Sequence, residues 1–257
     1  MSPVVTHSAW LAHRSIVRTL RQPAAVLPSL LFPLVLLGLL TAGLGAAADT
    51  PGFPTSSYLP FALAGAIIQA AMVGGIAAGT HLAFDTETGF LDRLALTPAG
   101  RTALLLGPLA AAVTLALLEA VAFIAIGLAF GVSIITGPAG VLGIVVLAAV
   151  AAVAFAAVGE LMALRVGSAD GVQERPLTFV LLTFSSFFLP RALIEADWLR
   201  TLATVNPTSY LMEGIRSLLY EGWSPAKLAL AVGPAAALFL FATVRATAAL
   251  NRRLEIR

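Results

Sequence analysis

Long stretches without a charged side chain are the feature that most constrains the fold of this chain. No Asp, Glu, Lys or Arg lies between Arg21 and Asp49 or between Asp49 and Asp85, and a third window, 103–130, holds only Glu119. Each window can supply the roughly 20 apolar residues that cross about 30 Å of bilayer hydrocarbon. Only 11% of the residues are charged, against about 25% in soluble domains. The sequence therefore predicts an all-α polytopic membrane protein.

The apolar windows divide residues 1–257, which we interpret as a single membrane domain, into six predicted transmembrane helices. These spans are about 24–46, 58–80, 103–130, 140–163, 176–190 and 226–247. An even number of spans places both termini on one side. With the termini inside, four of the 15 Lys and Arg residues, Arg191, Arg200, Arg216 and Lys227, lie outside and the rest inside. This positive-inside asymmetry predicts cytoplasmic termini.

The N-terminal stretch 8–21 has the period of an amphipathic helix. Arg14, Arg18 and Arg21 recur on one face, while Trp10 lies on the more apolar face. Such a helix lies in the headgroup plane with its cations toward anionic lipid. We therefore predict an interfacial helix, with a plain positively charged flank as the alternative.

Segment 191–225 is too polar to span the bilayer and too apolar to be a free loop. Asn206 suits a helix N-cap and Pro207 suits the first helical turn. The segment therefore predicts two short external helices between spans five and six, either re-entrant or lying flat. Backbone of this kind is tolerated at membrane depth only where protein or a wet cavity covers it.

Several kinds of chemistry have no matching motif in this chain. There is no cysteine, and the three histidines, His7, His13 and His81, do not form the H-E-x-x-H pattern of a zinc protease. A P-loop needs a lysine next to its phosphate-binding glycines, and the only lysine is Lys227. The sequence therefore predicts no enzyme and no metal site, and any ATP-driven work would need a second polypeptide.

Two carboxylates lie within predicted spans. Glu119 is the stronger functional candidate, because a carboxylate deep in a span faces the bundle interior or a wet cavity. It could meet a cationic substrate, relay a proton, or form a structural hydrogen bond to a neighbouring span. Glu160 lies near the end of span four, where we predict an ion pair with Arg165. Gly75-x-x-x-Gly79 permits close helix packing, although this pattern also arises by chance in a glycine-rich chain.

Segment 84–98, FDTETGFLDRLALTP, interrupts the apolar chain with charges on the predicted cytoplasmic side. Its residues resemble the cytoplasmic loop between spans two and three of type-2 ABC transporter permeases. The matching positions are Glu87, Gly89, Leu91, Asp92, Arg93, Leu94, Thr97 and Pro98.

The segment between spans five and six resembles the external segment of the same family. The matching positions are Pro190, Trp198, Asn206, Pro207, Tyr210, Glu213 and Arg216. Within the family, the chain is most similar to the drug-resistance permeases of actinomycete daunorubicin exporters. The resemblance implies one permease domain over the whole chain, without an ATP-binding motif.

The resemblance also implies that segment 84–98 is a coupling segment. Its apolar face would dock into a groove on a separate ATPase subunit, with charged residues pairing at the rim. These residues would be Glu87, Phe90, Leu91, Asp92, Arg93 and Leu94. A short helix with apolar anchors and a charged rim is a good ligand for a groove. Gly89 would mark the turn before a helix over 90–96, and the alternative is a solvated loop.

In the family, spans two and five line a cavity shared by two permease chains. The corresponding candidates here are Gln69, Met72, Phe184, Phe187 and Phe188, with Glu119 added from its chemistry. For the phenylalanines, lipid contact and core packing are the alternative interpretation.

Together these features predict the membrane subunit of an ABC exporter in a bacterial inner membrane. It would move a drug-like or lipid-like molecule, with ATP and Mg²⁺ held by two copies of a partner ATPase and with a second permease copy or a sister permease beside it. One alternative is a scaffold that anchors an ATPase or envelope complex without transport. Another is a secondary transporter that uses Glu119.

Overall fold

The computed structural model of this chain describes residues 3–21, 23–90, 93, 101–173 and 187–255. Within these ranges the regular structure is helical, and no strand is present. The α-helices are α1 Pro3–Leu20, α2 Pro23–Gly43, α3 Tyr58–Glu87, α4 Arg101–Ala129, α5 Gly137–Val166, α6 Ala169–Gln173, α7 Asp197–Val205, α8 Pro207–Arg216 and α9 Pro225–Glu255. Short 3₁₀ segments occupy Gly45–Asp49 and Arg191–Leu193, and a π-helical turn occupies Ser217–Glu221.

Four of the described helices are long and apolar enough to cross a membrane. They are Tyr58–Glu87, Leu105–Ala129, Gly137–Val166 and Pro225–Arg252. The apolar part of α2, Ser29–Gly43, is shorter. The prediction of an all-α polytopic membrane protein is therefore confirmed, while the total of six spans stays a prediction.

The helix of span two extends beyond its predicted boundary. We expected 58–80, whereas α3 continues to Glu87. The cationic partners of Asp85 on α1 stabilise these two extra turns, and the helix ends where the Thr88 amide and hydroxyl donate to the Phe84 carbonyl. The first part of the predicted coupling segment is thus the end of α3.

The predicted fifth span, 176–190, falls largely outside the described residues. Of that range the structure describes 187–190, which form a turn and a bend and are not helical. The other predicted spans overlap helices α2, α4 and α5 with shifts of a few residues at their ends, and α9 begins near the predicted start of span six but continues to Glu255, beyond the predicted end at 247.

Helix α3 is the centre of the packed chain. It contacts α2, α4, α5 and α8, and nearly every residue from Tyr58 to Met72 is buried. The backbones of α3 and α5 touch, since a Cβ on Gly79 would lie 2.5 Å from the carbonyl oxygen of Gly159. A displacement at the end of α3 therefore acts directly on the core.

The predicted pair of short helices between spans five and six is present as α7 and α8. Asn206 is the N-cap of α8, and its Oδ1 accepts a hydrogen bond of 2.9 Å from the Thr208 amide. Pro207 takes the first helical position, as the sequence predicts. Helix α8 is buried against α3, α5 and α9, so it is an integral part of the bundle.

Candidate functional site

The coupling segment leaves α3 through a glycine turn. Gly89 has a φ of +66°, which favours glycine because a Cβ is strained there. Helical backbone resumes at Phe90, and the Arg93 amide donates a 3.2 Å hydrogen bond to the Gly89 carbonyl. The expected turn at Gly89 and the start of a helix at 90 are thus observed. Leu91, Asp92 and Leu94 lie outside the described residues.

The charged residues of the coupling segment that the structure describes have partners within the chain. The Arg93 guanidinium donates to the carbonyls of Thr88, at 3.1 Å, and Gly89, at 3.3 Å. A cation at these carbonyls stabilises the C-terminal end of α3. Glu87 accepts a 3.0 Å hydrogen bond from the Ala169 amide at the first residue of α6. Both side chains remain exposed, and their predicted pairing with an ATPase stays a prediction.

An ionic clasp, defined here as Asp85 of α3 with Arg14 and Arg18 of α1, holds the N-terminal helix against the coupling segment. The Asp85 carboxylate lies 3.0 Å from Arg18 and 3.5 Å from Arg14. Its side chain is only 16% exposed, so solvent screens the clasp less than a surface pair.

Two aromatic rings extend the clasp. The Arg14 guanidinium carbon lies 4.0 Å from the centre of the Phe90 ring, and that of Arg18 lies 5.3 Å from the Phe84 ring. These distances are typical of cation–π contacts. One face of Phe90, a predicted anchor for the ATPase, is therefore covered by α1.

The interfacial helix differs from its prediction in the direction of its cations. Arg14 and Arg18 turn toward Asp85, so the expectation that all three arginines face lipid is wrong for these two. Arg21 is exposed, and Trp10 is 69% exposed. Trp10 and Arg21 are therefore the residues of this segment that still support an interpretation in which it contacts lipid.

The predicted pathway residues of span two lie inside the single chain. Gln69 is 2% exposed and Met72 is 5% exposed, both within the core cluster around α3. The Oε1 atom of Gln69 is buried without a hydrogen-bond partner. A pathway that uses these residues would require helices around α3 to separate, and this role stays a prediction.

Phe187 and Phe188 contact the N-terminal half of α3. Phe187 is fully buried against Gly65, where an added Cβ would lie 2.5 Å from its ring. The Tyr58 hydroxyl donates a 2.7 Å hydrogen bond to the Phe188 carbonyl. The structure therefore packs these two residues against Gly65 and Tyr58 of α3, while their predicted meeting with Gln69 and Met72 in a pathway stays a prediction. Phe184 lies outside the described residues.

Glu119 is buried between α4 and α2. Its side chain is 3% exposed, and Oε1 accepts a short hydrogen bond from the Ser29 hydroxyl of α2. Its second oxygen, Oε2, is buried with no hydrogen-bond partner. Glu160 is 1% exposed and its Oε1 also has no partner, so the predicted ion pair with Arg165 is wrong.

The predicted external motif forms a polar cluster around α8. Two guanidinium nitrogens of Arg191, Nε and Nη2, donate hydrogen bonds to the Glu213 carboxylate. The bond from Nε measures 2.6 Å. Arg191 also lies 4.6 Å above the Tyr210 ring. A two-pronged contact of this kind fixes orientation as well as distance, so it positions the 3₁₀ segment before α7 on α8.

Arg216 joins α8 to α3. It is 4% exposed, its Nε donates a 3.3 Å hydrogen bond to the Phe61 carbonyl, and its guanidinium carbon lies 3.5 Å from the Phe61 ring centre. Burial lowers the pKa of Arg216 to about 10, against the opposing attraction of Tyr220 and Glu213. The side chain is therefore still cationic at neutral pH.

Sequence reasoning missed the partners of two charged residues, Asp85 and Glu119. For Asp85, the two cations one turn apart on α1 were the available signal for an acidic partner. Ser29, a polar residue at the start of an apolar run, was the available signal for a contact with Glu119. Among the described residues no group of three or more His, Asp or Glu side chains could hold a metal ion.

Comparisons with known proteins place these features in a family context. The family model described as "ABC-2 type transporter" matches residues 7–220. A transport permease, ycf38, of Pyropia yezoensis is 29% identical over 81% of this chain and 72% of its own length. The daunorubicin resistance ABC transporter permease protein DrrB1 of Streptomyces coeruleorubidus is 28% identical over 83% of this chain and 75% of its own length.

Proposed function

The chain belongs to the ABC-2 type transporter family, and from this premise we propose that it is the transmembrane subunit of an ATP-driven exporter. As a member it is a multi-pass membrane subunit of an ABC transporter, and the family implies an ABC ATPase as partner. The finer proposal is that a drug-like or lipid-like amphipathic molecule leaves the cytoplasm or the inner leaflet. The name of the DrrB1 relative, daunorubicin resistance, supports a drug.

The observation that carries the proposal is the position of the coupling segment at the end of the central helix. Segment 84–98 begins inside α3, which is buried along most of its length and touches α5 backbone to backbone. The Gly89 turn and Asp85 connect the segment to α3 and α1. A push at this segment by an ATPase would therefore move the core and the N-terminal helix together.

The proposal includes an arrangement of chains. Two copies of the ATPase, which hold ATP and Mg²⁺, would act on two permease chains, either identical or a sister pair. Both termini and segment 84–98 would lie in the cytoplasm of a bacterial cell, and α7 and α8 would lie at the outer face. The inside excess of arginine supports this orientation.

The experiment that tests the proposal is purification of the tagged chain from its host in a gentle detergent. We expect a stoichiometric soluble ATPase to co-purify. It should be lost when Leu91 and Leu94 are both changed to Glu, because charges on the docking face oppose burial in an apolar groove.

A matched control is Val205→Glu, which places the same charge on a side chain that is 77% exposed on α7. This variant should keep the ATPase and should insert into the membrane as the wild type does. Retention of the ATPase by the Leu91→Glu/Leu94→Glu variant would remove the coupling assignment. Absence of an ATPase from the wild-type preparation would contradict the exporter mechanism.

A further inference from the structure

The seam between α2 and α4, defined by Ser29 and Glu119, holds an unsatisfied acceptor. The Ser29 hydroxyl donates a hydrogen bond to one oxygen of the Glu119 carboxylate, and the other oxygen is buried with no hydrogen-bond partner. A buried ionised carboxylate without a donor is costly, so such a group takes up a proton, pairs with a cation or binds a ligand. The unsatisfied atom is the first sign of a ligand site here.

The depth of Glu119 makes this arrangement unusual. It lies ten residues before the end of α4 at Ala129, which corresponds to about 15 Å along the helix axis. A carboxylate at that depth is far from headgroup cations. When it is ionised, its counter-charge must come from this protein or from a molecule that enters the seam. The described residues supply only the neutral hydroxyl of Ser29.

An apolar cavity lies along the same two helices. It has a volume of about 330 Å³ and is lined on the α2 side by Leu34, Leu37 and Thr41 and on the α4 side by Ile126 and Phe130. Ile126 follows Glu119 by seven residues and lies on the same face of α4, and Phe130, the first residue after α4, continues that face. Seven residues correspond to about 10 Å along the helix.

The seam borders the surface of the bundle where lipid would lie. Phe32 and Val35 of α2 are 56% and 57% exposed, and Leu118 and Val121 of α4 are 52% and 56% exposed. An amphipathic molecule dissolved in the bilayer would therefore meet the seam from the side. Entry would require α2 to move away from Glu119.

We propose that the α2–α4 seam binds lipophilic amines, with the ammonium group on the Glu119 carboxylate and the apolar body in the cavity bounded by Leu37 and Ile126. The axial offset of about 10 Å between Glu119 and Ile126 suits an amine carried on an apolar chain. The proposal names the substrate class of the exporter and rests on the proposed function for its role in transport. It moves the substrate site away from Gln69 and Met72, which lie inside the core.

The test measures binding to the full chain in lipid nanodiscs without ATP. The probes are a pyrene-labelled primary alkylamine and the matched pyrene-labelled alcohol, compared by fluorescence anisotropy. The wild type should bind the amine more tightly than the alcohol. Glu119→Gln should weaken amine binding about tenfold or more, the loss expected for a hydrogen bond to a charged group, and should leave alcohol binding unchanged.

A matched control is Glu160→Gln, which neutralises the other buried carboxylate, on α5. It should retain the preference for the amine. Ile126→Trp provides a second test that does not alter the charge. The larger side chain fills the cavity, so it should weaken the binding of both probes. If Glu119→Gln does not fold, the effect of Ile126→Trp still decides whether the cavity binds the apolar body.

The possible results separate this site from the proposed function. An unchanged amine preference in Glu119→Gln, equal binding of both probes by the wild type, or unchanged binding in Ile126→Trp would overturn the site. The exporter assignment would then stand on ATPase co-purification alone. A Glu119-dependent amine preference supports the site even in a preparation from which no ATPase is recovered.

Discussion

At the scale of single residues, three glycines determine how closely the central helices approach. A Cβ on Gly159 of α5 would lie 2.4 Å from the Gly75 carbonyl oxygen, and one on Gly75 would lie 2.7 Å from the Phe155 carbonyl carbon. These neighbours are backbone atoms, which cannot rotate away as a side chain can. The Gly75-x-x-x-Gly79 pattern therefore does provide close packing, with Gly159 as its partner on the facing helix.

Gly159→Ala should destabilise the chain because α3 and α5 must separate to accept the methyl group. The expected loss is about 1–3 kcal/mol, the usual cost of overpacking a core. The measurement is thermal unfolding in detergent. Gly233→Ala is the control, since Gly233 also lies in a helix but an added Cβ meets no atom within 4 Å. Equal melting temperatures for the two variants would contradict the close contact.

At the scale of elements, α1 and α8 are attached to α3 by polar contacts at opposite ends. At one end the Asp85 clasp holds α1, and at the other end Arg216 holds α8 against Phe61. Both contacts join segments far apart in sequence, with 67 residues between Arg18 and Asp85 and 155 between Arg216 and Phe61. Each contact therefore adds a polar link to α3 for a helix that also packs elsewhere, α1 on α4 and α8 on α5 and α9.

Asp85→Asn should loosen α1 from the coupling segment, because both arginines lose their carboxylate. Ion pairs of this exposure contribute up to about 1 kcal/mol each, so faster hydrogen exchange in α1 is expected without global unfolding. Asp197→Asn removes a pair with Arg200 whose aspartate side chain is 95% exposed, and it should leave α1 unchanged. Unaltered exchange of α1 in Asp85→Asn would show that the clasp contributes nothing.

Asn206→Ala should destabilise α8 by about 1 kcal/mol, the usual effect of losing an N-cap. The Thr208 amide, which is buried, would lose its acceptor. Thermal unfolding measures the loss, and Asn206→Ser, which keeps a capping oxygen, should recover most of it. Failure of serine to do better than alanine would contradict the capping role.

At the scale of the whole molecule, the predicted orientation can be tested directly because the chain has no cysteine. Each introduced cysteine is then the only thiol. With the termini in the cytoplasm, a membrane-impermeant maleimide should label Thr50→Cys and Ser224→Cys in intact cells. Thr88→Cys and Ser168→Cys should react only after the membrane is opened. The opposite labelling pattern would reverse the orientation and place the coupling segment outside.

Much of the fold was predictable because it depends on local patterns. The charge-free windows located α2, α4, α5 and the start of α9 within a few residues, since crossing hydrocarbon requires an apolar run and a satisfied backbone. The Asn206-Pro207 pair predicted the start of α8 from capping chemistry alone. The end of α3 was misplaced because Asp85 looked like a boundary until its partners on α1 were known.

The candidate site was predictable as a set of residue types and only partly as an arrangement. The sequence by itself determined that this chain is helical, crosses membranes and lacks the lysine motif that binds ATP. These conclusions need only composition and spacing. The tertiary structure alone decided that Gln69 lies in the core and that Arg14 and Arg18 form ion pairs with Asp85. It also decided that Ser29 donates a hydrogen bond to Glu119, which is 90 residues away in the sequence. Such contacts depend on which helix faces come together, and periodicity within one helix does not specify the face of another.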